Sequence, residues 1–444
     1  MIEALDGFLA YLLAPLDSVF ARQTLDTLPM LFGSFNLWFW LVVGFAILRL
    51  QLPIWCTWLF SIVRPTTFDP PPWTPTPGQP YPRVAVIMPA RDEQGKVGAT
   101  IETVLRCGYP NLEIIVANDG STDGTVDEVR RYQRTGRVRV VGMHERSGDQ
   151  HSGKPSILNR ALAATDAPYV LVLDADTEIQ VGAIQHLLGP MRDPQVGAVT
   201  GSIRVRNARD SFATRFQECE YAMGVTVPRS WRSALDFLAI VPGGIGFFRR
   251  RALKDLGGWD TGLGEDTDMT LRLRKAGWKL RFVPSAVTWA NVPPTWTALF
   301  RQRRRWERNM VKVRVRKQWD MLIPGRYRLR DMAVAIDTAI VRLFIPWLYF
   351  TSIIVVMATA PLSTPVLLTH LYWLTLTFTL IKMLIAHDLT HTPSARCFLL
   401  LPLLPLQRLM LRLVVFAAQL LELLRIGIRH PYVPDRIWKA TPHW

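Results

Sequence analysis

LEIIVANDGSTDGTVDEVRRYQR, residues 112–134, decides the fold. LEIIVA is apolar at nearly every successive position, as in a strand covered on both faces. A turn of Asp, Gly and Ser follows, and TVDEVRRYQR then takes up a helical pattern. The alternation recurs on either side: VAVIMPA (84–90) precedes VGATIETVLRC (97–107), and YVLVLDAD (169–176) precedes EIQVGAIQHLL (178–188). Strands alternating with helices predict βαβ units on a mostly parallel α/β sheet. Ligands of such sheets bind beyond the carboxyl ends of the strands. The clusters Arg91-Asp92-Glu93, Asp119-Gly120-Ser121 and Asp174-Ala175-Asp176 are therefore expected to line one crevice.

Outside this region the chain changes solvent. Leu31 to Val63 holds one Arg and no acid, so one bilayer crossing is expected, with Leu52-Pro53 dividing it from an interfacial segment. Phe8 to Phe20 reads equally as a short span or an interfacial helix, and no basic stretch precedes it to make a signal peptide. The residues before Leu31 carry four acids and only Arg22, whereas Arg64 and Arg83 lie beyond the span. Positive-inside counting places the chain after Val63 in the cytoplasm. Residues 64–82 contain 8 prolines in 19 positions and predict a stiff extended linker. Met332 to Ala358, Leu362 to Ala386 and Cys397 to Leu424 predict two or three returning spans. Pro402, Pro405, Arg408 and Arg412 also suit a re-entrant or surface helix for the last. The expected division is 1–63 membrane segment, 64–82 linker, 83–292 soluble domain, 293–331 basic interfacial helices, 332–424 membrane region and 425–444 basic cytoplasmic tail.

Of 444 residues, 49% are hydrophobic and 20% charged, and Lys+Arg 52 against Asp+Glu 36 leaves +16. That balance excludes a bare bundle of spans and points to phosphates, anionic lipid or an acidic ligand. Residues 301–331 alone hold 12 Lys/Arg against three acids, a tract expected to sit mostly against anionic headgroups. Because it abuts an apolar stretch and lacks interleaved stacking aromatics, nucleic acid is not an expected partner. Cys56, Cys107, Cys219 and Cys397 lie far apart, which indicates neither a zinc site nor a disulfide framework and suits a reducing compartment.

Several motifs carry chemistry. In DADTE (174–178), carboxylates at i and i+2 beyond a strand can hold a hard divalent cation and leave room for phosphate oxygens; a solvated turn has the same composition. In NDGSTDGT (118–125), Asp119 can accept from a nucleobase N–H or a ribose hydroxyl at the start of a helix. SGKP (152–155) sets Lys154 at a helix entrance, suited to phosphate or simply solvated. GEDTD (264–268) opens an amphipathic helix, either as ordinary acidic capping or as the seat of a general base. VPGGIGFFRR (241–250) offers bare backbone for close approach. In QRRRW (302–306), Gln302, Arg305 and Trp306 fall within one helical turn, Arg a fork for diphosphate and Trp a platform for a sugar ring.

In this order, VAVIMPARDE, NDGSTDGT, SGKP, DADTE, GED and QRRRW resemble the processive membrane glycosyltransferases of family 2, among them cellulose, chitin, hyaluronan and poly-N-acetylglucosamine synthases. The resemblance runs from about Val84 to Trp306. It implies an α/β GT-A domain for nucleotide-diphospho-sugars, inserted between transmembrane helices of a plasma (inner) membrane, catalytic side cytoplasmic, with amphipathic interfacial helices. It implies that Asp92 and Asp119 contact uridine, that Lys154 and Asp174 lie beside the donor, and that Asp176 ligates Mg2+ or Mn2+. Asp266 would be the base, with Asp268 structural; Gly243 and Gly244 would lie near the acceptor, and Gln302, Arg305 and Trp306 would bind diphosphate and the acceptor end. The short tail and the PGGIGFFRR loop look most like poly-β-1,6-N-acetylglucosamine synthases. That implies a UDP-sugar donor, a growing polysaccharide acceptor, membrane lipid, a small membrane partner subunit and cyclic di-GMP. GED in place of the relatives' TED, and the basic tract after Trp306, leave acceptor and product open. Other β-linked polymers, transfer of one sugar to a lipid carrier, and a non-catalytic basic membrane scaffold are the competing expectations.

Overall fold

A computed structural model describes residues 54–59, 61–63, 65, 69–143, 153–260, 262, 264–359, 364–390 and 394–424. The expected spans before residue 54, Ser152 of SGKP and the basic tail from 425 lie outside the described residues.

The sheet has eight strands: β1 (Val84–Ala90), β2 (Leu112–Asp119), β3 (Val138–Met143), β4 (Tyr169–Leu173), β5 (Thr177–Ile179), β6 (Val196–Val205), β7 (Ile245–Arg249) and β8 (Lys279–Ala290), in the order β3-β2-β1-β4-β7-β6-β8-β5. β3, β2, β1 and β4 are parallel, with Ala90 beside Asn118 and Ile87 beside Val172. The expectation of a mostly parallel sheet holds only for that half. β7 runs antiparallel to both β4 and β6, β5 antiparallel to β8, and β6 parallel to β8. IGFFR enters the sheet between β4 and β6 in the opposite sense to both, after the helical segment 212–234 that separates it from β6. EIQVGAIQHLL is likewise not one helix, because Thr177–Ile179 pairs with β8 first.

Alternation along β1 sorts the two cores. Val84, Val86 and Met88 pack with Val97, Ile101 and Val104 of α1 (Val97–Leu105) and with Val129 of α2 (Thr125–Gln133). Ala85 and Ile87 pack on the other face with Ile157, Leu158 and Ala161 of α3 (Lys154–Ala163). The remaining helices are α4 (Ala183–Leu188), α5 (Phe212–Tyr221), α6 (Val227–Ala234), α7 (Arg250–Asp255), α8 (Glu265–Lys275), α9 (Trp296–Val311), α10 (Leu329–Ala339), α11 (Ile345–Thr359), α12 (Thr364–Thr390) and α13 (Leu404–Leu423). From residue 69 the Pro-rich segment forms neither helix nor strand, and it is pinned to the domain. Trp73 enters the core and its N–H donates to Gln185 O at 2.8 Å, while Asp69 accepts from the Ser285 hydroxyl.

Helices α5 and α6 and the π-helical turn between them lay Phe216, Cys219, Met223 and Val227 against Met383 and Ala386 of α12 and Leu404 of α13. Among the described residues, one helix is long and apolar enough to cross a bilayer, Leu401–Leu423. The stretch expected as a span over Met332–Ala358 lies in α10 and α11, which a π-helical turn joins without a break. Its Asp337 pairs with Arg232 at 3.3 Å and its Arg342 with Glu307 at 3.1 Å. The basic tract also departs from expectation, because much of its charge is neutralised inside the fold. Arg303 meets Glu220 (3.0 Å), Arg308 and Arg316 share the fully buried Glu422 (2.9 and 2.8 Å), and Arg330 meets Asp236 (2.6 Å).

Candidate active site

The carboxyl ends of β1, β2 and β4 meet, so the three polar clusters do share one rim. Asp92 sits there with φ +52°, a left-handed conformation that Asp tolerates better than most residues. Its Oδ1 accepts from Thr122 N at 2.8 Å, and its own N–H donates to Ser121 Oγ at 3.2 Å. Asp119 is buried, and Oδ2 accepts from Gly153 N at 3.2 Å, which ties the end of β2 to the residue before α3.

Lys154, in the first turn of α3, reaches Asp174 Oδ1 at 2.7 Å and Glu265 Oε1 at 3.8 Å. Burial pushes this ammonium down, but Asp174 and Glu265 outweigh it and hold it above the ordinary lysine range. Glu265 is raised by burial, an effect that Lys154 partly offsets. The glycine loop seals the cluster. A methyl group on Gly243 would stand 3.1 Å from Lys154 Nζ and 3.9 Å from Asp266 Cβ, and one on Gly244 3.1 Å from Asp174 Oδ2. The loop is bare because a charged pair occupies the space a side chain would need. Lys154, Asp174, Gly243, Gly244 and Asp266 thus come together.

GED opens α8. Gly264 precedes it at φ +83°, with Val313 Cγ2 only 3.0 Å from where a Cβ would lie, so neither backbone nor space admits a side chain. Asp266 Oδ1 accepts from Thr267 N at 2.6 Å. Asp268 is buried and bound by Lys317 Nζ at 2.8 Å and Gln318 Nε2 at 2.6 Å. It serves the fold, as its sequence position suggests.

QRRRW lies on α9. Arg303, rather than Arg305, stacks its guanidinium over Trp306, 4.4 Å from the ring centroid. Trp306 is 42% exposed, Arg305 is exposed, and the Gln302 Oε1 atom is shut off from solvent with no hydrogen bond among the described residues. No hydrogen bond or ion pair joins these three to the Lys154–Asp174 pair among the described residues.

Asp176 is the cation candidate. Burial, then the charges of Asp174 and Glu93, raise its carboxyl above the ordinary 3.8, with Lys96 opposing. This surplus of negative charge suits a divalent cation held by one carboxylate and the oxygens of a bound diphosphate. No cage of three or more His, Cys, Asp or Glu exists among the described residues, so the donor itself would complete the shell. Asp176→Asn should lower metal-dependent turnover on the order of 10²-fold or more. The metal-free enzyme should not lose thermal stability: with a folded pKa above the unfolded one, the native carboxyl's contribution falls as pH rises through that window. In the parent enzyme, metal-dependent turnover should decline on acidification at a higher pH than an ordinary aspartate would dictate. Thermal melts and pH–rate profiles with and without Mn2+ check all three.

Sequence reading singled out Asp266 in GED and Glu93 in the crevice but assigned no role to Glu265 and missed Lys96, and it missed Arg229 and Arg314, on which the charge of Asp266 acts. Only the helical register of GED signals that adjacent acids point to different partners.

The fold and rim define a nucleotide-sugar transferase. Residues 82–309 match the family model described as glycosyltransferase like family 2, and the chain belongs to that family. It is 36% identical over 232 residues to "Probable glycosyltransferase YdaM" of Bacillus subtilis (strain 168), covering 51% of this chain and 55% of that one. It is 30% identical over 241 residues to a poly-beta-1,6-N-acetyl-D-glucosamine synthase of Staphylococcus epidermidis, covering 54% and 57%. The chain thus spans about half the length of the curated relatives it matches. Among solved structures, the mannosyltransferase PcManGT of Pyrobaculum calidifontis, in complex with GDP-Man and Mn2+, is similar in fold. Its TM-score is 0.55 at 20% identity, with 87% of this chain and 100% of that one covered.

Proposed function

We propose that this chain is an inverting, processive glycosyltransferase. It builds a β-linked polysaccharide from a UDP-sugar, UDP-GlcNAc to poly-β-1,6-N-acetylglucosamine foremost, at the cytoplasmic face of a plasma membrane. The observation that carries the reading is the meeting of Lys154, Asp174, Glu265 and Asp266 around a side-chain-free Gly243-Gly244. Asp92 and Asp119 hold the uridine. Lys154, fixed by Asp174, offers its ammonium to the departing diphosphate. Asp176 would hold a divalent cation, which when bound would supply further neutralisation of charge on that leaving group. Asp266 takes the proton as the acceptor oxygen attacks the anomeric carbon, and attack opposite the leaving group turns an α-linked donor into a β-linked product. Gln302, Arg305 and Trp306 hold the diphosphate and the acceptor end, and the polymer leaves through the membrane region.

The test is UDP release by the detergent-purified chain with Mg2+ or Mn2+. UDP-GlcNAc, UDP-Glc, UDP-GlcA and UDP-Gal are offered separately, with and without cyclic di-GMP, and the products are sized. A long polymer from UDP-GlcNAc is the expected result. A long polymer from another donor keeps the mechanism and moves the substrate, a single added sugar replaces polymerisation with transfer to a carrier, and the absence of both UDP binding and turnover overturns the reading.

A further inference from the structure

Helices α12 and α13 leave one corner of the fold, where the His387 ring lies 6.2 Å from that of Phe398. Beyond it, Arg408 of α13 reaches across to α12, its Nη1 donating to Thr379 Oγ1 at 2.8 Å. Its Nη2 is set against Met223 Sδ at 3.5 Å, a weak acceptor for a charged donor. Lys382 stands one turn on from Thr379 along α12, and Arg412 one turn on from Arg408 along α13. Thr379, Met383 and Ala386 share a helical face with Lys382, as Leu404 shares one with Arg408 and Arg412. Met383, Ala386 and Leu404 pack with Met223, so the three cations border the face on which the helices meet. Lys382 is about two turns from the end of α12 and Arg408 about one turn from the start of α13. In a bilayer this cluster therefore belongs near the headgroups rather than at the centre.

The acids on the elements packed here are already engaged. Glu220 holds Arg303 at 3.0 Å, Glu218 accepts from Ser394 N at 3.3 Å, and Asp337 holds Arg232 at 3.3 Å. Neither Lys382 nor Arg408 has a carboxylate within 4 Å among the described residues, and Lys382 makes no hydrogen bond among them. The surface around the cluster is apolar, with Leu406 and Leu413 of α13 and Trp373 and Leu384 of α12 exposed. Cations in such a setting are costly unless something anionic completes them, and within a membrane they mark ligand sites. Positive charge beside exposed apolar helix surface fits a phosphate that carries hydrocarbon chains. We propose that α12 and α13 hold the headgroup phosphate of an anionic phospholipid between Lys382, Arg408 and Arg412, with its acyl chains along Leu406 and Leu413. Arg408 turns Nη2 from sulfur to phosphate oxygen, and Lys382 supplies an ammonium. This rests on reading Leu401–Leu423 as membrane-embedded and is independent of which sugar is transferred.

The test titrates the detergent-purified full chain with dioleoyl phosphatidylglycerol or dioleoyl phosphatidylcholine, whose choline carries a compensating cation, and counts bound lipid by native mass spectrometry. The parent should prefer phosphatidylglycerol about 10-fold or more, since each cation beside a phosphate contributes several-fold. Lys382→Gln, Arg408→Gln and Arg412→Gln should each lower that affinity about fivefold and leave phosphatidylcholine unaffected. Arg396→Gln, an exposed cation near the same corner but off the cluster, should change neither. Lys382→Gln breaks no hydrogen bond and relieves repulsion between like charges, so without lipid it should melt no lower than the parent. That variant keeps the test decisive if loss of the Arg408–Thr379 bond impairs folding. Equal affinity for the two lipids overturns the site, as does a phosphatidylglycerol preference that survives in Lys382→Gln and Arg412→Gln. An equal loss in Arg396→Gln replaces the site with diffuse attraction, and displacement of the lipid by millimolar glycerol 3-phosphate gives the cluster to a soluble phosphate instead. Retention of neither lipid sinks the membrane-embedded reading of α13, and this site with it.

Discussion

Asp266→Asn will bind UDP as the parent enzyme does and turn over about 10³-fold more slowly, within the range for loss of a general base. Asn preserves the shape of the site. Its amide oxygen can still accept from Thr267 N–H, the bond that fixes the Asp266 side chain at 2.6 Å, so α8 keeps its first turn. Basicity alone is lost. UDP titration and single-turnover transfer separate the two quantities, and a kcat change without a change in UDP affinity is the signature of an interaction made only at the transition state. Turnover within tenfold of the parent would move the base elsewhere, and Glu265, raised by burial one residue away, would be the next group to replace.

The second large effect is on stability. Lys317 Nζ lies 2.6 Å from Asp260 and 2.8 Å from Asp268, and all three side chains are buried, at 4%, 3% and 3% exposure. Lys317→Met keeps the length and apolar volume of the stem but leaves Asp260 without its cation and Asp268 with only Arg272 at 3.8 Å and Gln318. Breaking a buried pair in this way costs about 3–5 kcal/mol. Chemical denaturation should therefore report a loss within that range. The double variant Lys317→Met/Asp268→Asn should recover part of it, because it removes one stranded charge and leaves Gln318 a neutral partner at the same place. A loss below about 1 kcal/mol would place this triad with exposed ion pairs.

Strands β1, β2 and β4 were legible in the sequence because they are apolar on successive residues and end in acid-rich turns. β6, β7 and β8 were not. VGAVTGSIRV mixes small and polar residues, and its pairing depends on neighbours more than 40 residues away, which no local pattern encodes. Lys154, Asp174, Gly243, Gly244 and Asp266 were legible as motifs, but their meeting was not, since it depends on the loop before β7 folding back over the end of β4. Glu265 was hidden by its neighbour. The basic tract misled most. Charge density along the chain suggested a lipid-facing surface, whereas Glu220, Glu422, Asp260, Asp268 and Asp236, distant in sequence, consume much of it. Arithmetic on residues 301–331 cannot see acids that arrive from elsewhere.

Glu422 has a consequence of another kind. It lies fully buried near the end of α13 and holds Arg308 and Arg316, one on α9 and the other just past it, while Gln419, one turn earlier, donates to Glu307. With both carboxylate oxygens engaged, no slip between the two helices is available without breaking charged bonds in a dry interface. The two helices are locked into one unit, so a displacement of Leu401–Leu423 is carried through Arg308 and Glu307 to the α9 turn that bears Trp306.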